Sequence, residues 1–299
     1  MNFIEYSKDL KEIKPAQEVF VAFLDILGFS DFVRRNTHDN LIAIYQSLFR
    51  PIIDMSLTEA AEQITRNSSW IEQVINADTQ ELLAPKLDNV TLNCLTISDS
   101  IILSTSGNVF TDFLTLLATV RNLMARALYF GFPLRGAITH GMLTLDGKIT
   151  PENPNIIHHQ MLGLPIVEAA SLEKSQQWSG CTIDASAAEK IGPKLMRLDP
   201  VFLTLYEVPI KNKDKKIMPV VNWVQGISDN DKPQIDARKI REGFSAHGKS
   251  IDSNVEKIIL NTIDFFKKMT SHPIYKNEII PEDYWDCIVE VIKSDFVRS

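Results

Sequence analysis

The chain has little cysteine. Its three cysteines in 299 residues (Cys94, Cys181 and Cys287) are scattered and lack zinc-ligand spacing. That argues against a disulfide framework or a thiolate metal cluster and fits a reducing interior. Positive charge is not in surplus either. With 31 Lys and Arg against 38 Asp and Glu, the net charge of −7 and pI near 5.4 argue against a large footprint on nucleic acid or an anionic membrane. A small anionic ligand stays possible, because a bound divalent cation can supply positive charge locally. No apolar run approaches a membrane span; Val19–Leu27 is broken by Asp25. The opening MNFIEYSKDLKEIK lacks the apolar stretch of a secretory signal, so the cytoplasm is the expected compartment. Internal repeats and low-complexity tracts are missing too.

What is present is ordinary in bulk, with 44% hydrophobic and 23% charged residues, enough for a sizeable core. Residues 1–17 form a charged lead-in. Glu18–Leu27 is dense in β-branched and aromatic residues and reads as a buried central strand ending at Gly28. Apolar positions at Leu41, Ile44, Tyr45, Leu48, Phe49 and Ile52 have helical spacing, and Pro51 predicts a kink or split. Residues 54–88 read as a helical excursion and a loop. Val90–Ile97 and Ser100–Thr105 meet at Ser98-Asp99, which predicts a hairpin with an acid at its tip. Val109–Phe130 is the strongest helix, stopped by Gly131 and Pro133. Leu134–Leu145 reads as a strand ending at an Asp146-Gly147 turn. Ile166–Gln177 reads as a helix and Cys181–Asp184 as a short strand. The fold class is therefore α+β, with the ferredoxin-like order β-α-β-β-α-β. Strands at Phe202–Ile210 and Ile217–Val224 flank a basic turn, Lys211–Lys216, and helices follow. The expected division is 18–199 as the main domain and 200–299 as an α/β extension.

Asp25 is an acid inside an apolar strand, and a lone buried carboxylate is costly unless paired or neutralised. A helix cap or a buried arginine partner would account for it. Asp99 alone is good turn chemistry. Together they say more. In a β-α-β-β sheet the first strand and the β2-β3 tip lie side by side, so the two carboxylates converge and suit two Mg²⁺ or Mn²⁺ ions gripping a triphosphate. The loop Leu27–Ser30 follows, and its backbone amides can cradle phosphate oxygens, with Gly28 allowing close approach. Arg135 opens the strand Leu134–Gly141. It either stabilises charge on the α-phosphate or pyrophosphate, or forms a salt bridge to Asp25 or Glu168. His140 reads as a sheet histidine, and His158 and His159 as loop residues without metal-ligand spacing.

These segments resemble the class III nucleotide cyclase catalytic domain over residues 18–190. Phe23-x-Asp25-Ile26-x-Gly28-Phe29-Ser30 is similar to that family's first metal motif, which implies metal ligation by the Asp25 carboxylate and the Ile26 carbonyl. Phe23, Gly28, Phe29 and Ser30 are thereby implied on the substrate side. Ser98-Asp99 stands where the family has Gly-Asp, its second metal ligand. Gly163-x-x-Ile166-Val167-x-Ala169-Ala170-x-Leu172-Glu173 follows the pattern of its last catalytic helix.

The departures matter as much. The family's transition-state Asn and Arg are Val167 and Ser171 here. Its purine-reading Lys is Leu95, and the partner acid is Gln160, which argues against a conventional adenylate or guanylate cyclase. FLDILGF, the SDS hairpin, the LRG strand, GLPIVEAASLEK and the tail resemble the bacterial pyrimidine cyclases of the Pycsar anti-phage systems. That resemblance implies a cytoplasmic homodimer with interfacial sites, making cyclic UMP or cyclic CMP from UTP or CTP, with Arg135 standing in for the absent arginine. Nucleic acid and membrane are not expected partners. A non-catalytic nucleotide sensor and a purine cyclase are the alternatives.

Overall fold

A computed structural model describes residues 16–66, 92–149, 157–212, 215–225 and 235–271 of the protein. Most of the lead-in and the excursion past residue 66 lie outside the described residues. Strand β1 (Gln17–Ile26) alternates its side chains, so Phe20, Ala22, Leu24 and Ile26 share one face and Val19, Val21, Phe23 and Asp25 the other. Gly28 then turns the chain into helix α1 (Phe29–Arg35), which is followed by α2 (His38–Ile44), a π-helical turn at Tyr45–Phe49 and α3 (Arg50–Arg66). Pro51 brings no amide to the helical ladder, and the irregularity falls just ahead of it.

Strands β2 (Leu92–Ile97) and β3 (Ser100–Thr105) form the expected hairpin, with Ser98 at φ 57° beside Asp99. Helix α4 (Phe110–Tyr129) is buried nearly all round, because it lies between the sheet and α3. Each fully buried Phe or Leu on it, such as Phe113, Leu117 and Leu123, contributes roughly 1.5–3 kcal/mol. Charged side chains on it find partners inside: Arg121 donates through its two terminal nitrogens to the Val201 carbonyl and to Gln63, and Arg126 pairs with Glu59 of α3.

Strand β4 (Leu134–Ile149) corrects one expectation. Asp146-Gly147 is not a turn; β4 runs through it and pairs with β5 (Ile157–Leu162), Asp146 opposite Gln160 and Gly147 opposite His159. His158 and His159 therefore lie in a strand rather than a loop. An Asp-Gly pair reverses the chain only where nothing better is offered to its backbone, and here β5 offers a ladder. Helix α5 (Leu164–Ser175), strand β6 (Cys181–Ile183), helix α6 (Ala185–Ile191), strands β7 (Leu203–Val208) and β8 (Lys216–Val221), and helices α7 (Ala237–Ser245) and α8 (Ser253–Thr270) complete the described chain.

The sheet order is β2-β3-β1-β4-β6-β8-β7, with β5 paired to β4. The first four strands are antiparallel neighbours in the order 2-3-1-4, with helices after β1 and β3. That is the ferredoxin-like β-α-β-β-α-β arrangement of an α+β fold. β6 adds parallel to β4, and β8 and β7 extend the same sheet.

Candidate functional site

Asp25 lies near the end of β1 on the Phe23 face, opposite Ser100 of β3 and Arg135 of β4. The β2-β3 tip is tied to that end: the Ile26 amide donates to the Asp99 carbonyl at 3.0 Å. The Asp99 side chain reaches the Asp25 carboxylate, so the two half-buried acids meet as the strand topology suggested. Burial, then the negative charges of Glu173 and Asp99, push Asp25 up to about 7, and Arg135 offsets only part of this. A site that resists ionisation because it is buried and its acids crowd each other is relieved by a cation.

Arg135 is buried and its partner is neither Asp25 nor Glu168. Its Nε donates to Glu173 Oε1 at 2.5 Å and its Nη1 to the Gln176 carbonyl at 3.1 Å. Glu168 is exposed, one helical phase away from the inward face that Ala169 and Glu173 share, four residues apart. The Arg135 charge still acts on Asp25. Gly136 has a reason of its own: a Cβ there would strike Leu24 and the Phe23 carbonyl, so only glycine lets β4 pass β1 this closely. Gln176, fully buried, holds the end of α5 by donating to the Gly136 carbonyl and accepting from Trp178.

Lys211 is a member that sequence reasoning did not single out. Its amide donates to the Ser175 carbonyl at 2.7 Å, and Gln177 donates to the Pro209 carbonyl, pinning the turn after β7 to the end of α5. The exposed Lys211 ammonium thus lies within electrostatic reach of Arg135, Glu173 and Asp25. Its only sequence signal was membership of the basic turn Lys211–Lys216.

Gly28 has φ 80°, a left-handed conformation that favours glycine, and starts the turn into α1. The Leu27 amide is taken by the Pro133 carbonyl at 2.9 Å, whereas Phe29 and Ser30 head a helix, where amides have no intrahelical acceptor. Phe23 is half-buried on the Asp25 face, and Leu95 packs into the same small apolar cluster. Gln160 is exposed and far away. It sits opposite Asp146, eleven residues along β4 from Arg135, on the order of 30 Å by strand rise. Val167 and Ser171 are exposed on α5. His140 lies on the opposite face from Asp25, its ring against Phe20 at 4.9 Å, and burial lowers its pKa, as suits a sheet histidine.

Among the described residues no group of three His, Cys, Asp or Glu side chains could hold a metal by itself. Two carboxylates with a backbone carbonyl are nonetheless the oxygen donors that suit Mg²⁺ or Mn²⁺ when substrate phosphates complete the shell. The crowded negative charge around Asp25 fits that group. No described helix is long and apolar enough to cross a membrane.

No protein-family model matches the chain, and no curated protein matches it. It is similar to solved nucleotide cyclase domains at low identity. The guanylate cyclase domain of RhGC from Catenaria anguillulae in complex with GTP is 15% identical, with 70% of this chain and 97% of that chain covered and a TM-score of 0.45. The catalytic core of a rhodopsin-guanylyl cyclase with converted specificity, in complex with ATPalphaS, is 16% identical over 71% and 98% at 0.44. The adenylyl cyclase CyaB from P. aeruginosa is 14% identical over 70% and 96% at 0.40. At these scores the fold assignment rests on the chain's own strand order, and the site on its own side chains.

Proposed function

We propose that the protein is a pyrimidine nucleotide cyclase, converting UTP or CTP to the 3′,5′-cyclic monophosphate and pyrophosphate. The observation that carries this is the meeting of Asp25 and Asp99 beside Arg135 and Lys211 at one end of the sheet. Two Mg²⁺ or Mn²⁺ ions at Asp25, Asp99 and the Ile26 carbonyl would supply Lewis-acid stabilisation of the 3′-oxygen and the phosphates. In the reaction the ribose 3′-hydroxyl gives its proton to water, its oxygen bonds to the α-phosphorus, and the bond to pyrophosphate breaks. Lys211 draws the triphosphate in and offsets charge building on the leaving group. The Phe29 and Ser30 amides donate to phosphate oxygens, and Arg135, held by Glu173, keeps a fixed positive charge beside Asp25.

Leu95 and Gln160 lack the Lys and acid that would read a purine, which supports a pyrimidine. Gln160 stands too far from Asp25 to serve the same subunit's acids, which supports a homodimer with each base pocket completed by the second copy. Leu162, Leu164 and Val167 are 63%, 65% and 65% exposed around that region, an apolar surface suited to self-association. Through the Pycsar resemblance, the product serves as a cytoplasmic second messenger in anti-phage defence.

A second reading, a sensor that binds nucleotide without turnover, is favoured by Val167 and Ser171, which offer no polar pair for the ribose and transition state. One experiment separates the readings: incubate the full chain with UTP, CTP, ATP or GTP plus Mn²⁺ and identify products by mass spectrometry. Cyclic UMP or cyclic CMP is the expected result. Cyclic purines alone would replace the substrate class. Folded dimer that binds a triphosphate and yields no cyclic product would leave the sensor.

A further inference from the structure

The segment Ala246–Ser250 reaches from the C-terminal region back to the turn that follows Asp25. Ser250 donates through its amide and hydroxyl to Asp31 of α1 at 2.6 and 2.7 Å. Asn36 donates to the His247 carbonyl at 2.9 Å, and the His247 ring stacks on Phe132 at 4.7 Å. Between them Lys249 is only 6% exposed. Its Nζ donates to the Gly131 carbonyl at 2.6 Å and the Gly243 carbonyl at 3.2 Å. Its Cδ lies 3.1 Å from where a Cβ on Gly28 would stand, so the aliphatic stem forms the floor of the Gly28 turn.

No carboxylate among the described residues lies within ion-pair distance of Lys249. Asp31 is the carboxylate whose charge reaches it, from beyond ion-pair distance, and a buried ammonium so weakly compensated costs free energy that a methionine of similar shape would avoid. What the lysine adds is a tie between separate segments. Gly28 follows β1, which carries Asp25 and Ile26; Gly131 precedes β4, which carries Arg135. The two segments are also joined by the Leu27 amide on the Pro133 carbonyl and by the Phe32 ring edge-on to Phe132.

We propose that Lys249 is a positioning residue for the nucleotide site, locking the Gly28 turn against the Gly131 turn so that Ala246–Ser250 sets the backbone beside the two acids. The enzymatic half of this rests on the cyclase reading; the positional half does not. The test is Lys249→Met in the full chain, read by amide hydrogen exchange and by steady-state kinetics with the Mn²⁺ triphosphate that the wild type turns over.

Exchange within residues 27–32, read at the hydrogen-bonded Leu27 and Phe32 amides, is expected to quicken about tenfold while β7 and β8 stay unchanged. KM is expected to rise about tenfold with kcat within about threefold. Unchanged exchange at 27–32 would overturn the proposal. So would uniformly faster exchange with kcat reduced and KM unchanged, the pattern of mere destabilisation. If the wild type turns over no triphosphate, the cyclase reading fails and the exchange result still decides the position of Lys249. Should Lys249→Met fail to fold, Asp31→Asn, which weakens the Ser250 clamp, is read by the same two measurements with the same deciding outcomes.

Discussion

The two faces of the central sheet are built from the same strands yet carry different burdens. On one face Phe20, Ala22, Leu24 and Ile26 of β1 meet Ile101 and Leu103 of β3, Leu134 and Ile138 of β4, and the buried helix α4. On the other, the buried apolar cluster is small: Val19, Val21, Ile102 and Leu143, with Phe23, Leu95, Met161 and Ile166 partly covered. That second face holds Asp25, Arg135 and Glu173. One side of each strand supplies cohesion, and the other, though covered, holds charge. Neighbouring residues therefore answer to different physics, and Leu24 and Asp25 are the sharpest pair.

Several substitutions would break or sharpen that contrast. The largest effect is expected from Asp25→Ala or Asp99→Ala, each lowering cyclic nucleotide formation by about 10³-fold or more with the melting temperature held. Loss of activity that tracks loss of folded protein would contradict the division of labour. Next comes Arg135→Met, which leaves Glu173 buried and unpaired at a cost of about 3–5 kcal/mol in denaturant unfolding. Adding Glu173→Leu to it should return much of that stability while activity stays low.

Leu24→Ala, one residue from Asp25 but facing the core, should cost about 2–5 kcal/mol by leaving a cavity. Val167→Glu on the exposed side of α5 should change monomer stability by about 0.5 kcal/mol or less. Sedimentation should nonetheless show it weakening the proposed self-association, because it places a charge on the apolar surface.

The last effect concerns pH. Asp199 is 4% exposed, its carboxylate oxygens find no hydrogen-bond partner of ordinary geometry among the described residues, and burial pushes it up to about 7 against partial relief by Thr204 and Lys268. A carboxyl raised on folding stabilises while protonated. Its contribution is full below the unfolded value near 4 and is lost as pH rises through 7. Asp199→Asn should flatten the fall in melting temperature between pH 5 and 8, a change on the order of 1–3 kcal/mol. An unaltered slope would assign the pH dependence elsewhere.

Much of this organisation was legible in the residues. β1, the Asp99 hairpin and α4 carry strong periodicity, and the convergence of Asp25 and Asp99 follows from topology alone. The rest depends on long-range partners that local pattern does not encode. β5 contains two histidines and no alternating apolar run, and the Asp146-Gly147 pair mimics a turn, so the β4-β5 arm was missed. The Arg135 partner turned on the phase of α5, where Glu168 and Glu173 look alike until one knows which face is inward. Lys211 and Lys249 are single lysines among many, and only the packing of the turn after β7 and of Ala246–Ser250 brings them to the site.

Ser98 carries a consequence of its own. It holds φ 57° at the tip that presents Asp99, a conformation that costs a residue with a Cβ on the order of 1 kcal/mol. Glycine would remove that cost but would widen the conformations open to the unfolded chain and to the tip itself. Serine is thus a brake: the hairpin gives up a little stability and in return visits fewer arrangements of Asp99. Ser98→Gly should leave overall stability nearly even while blurring where the second acid stands.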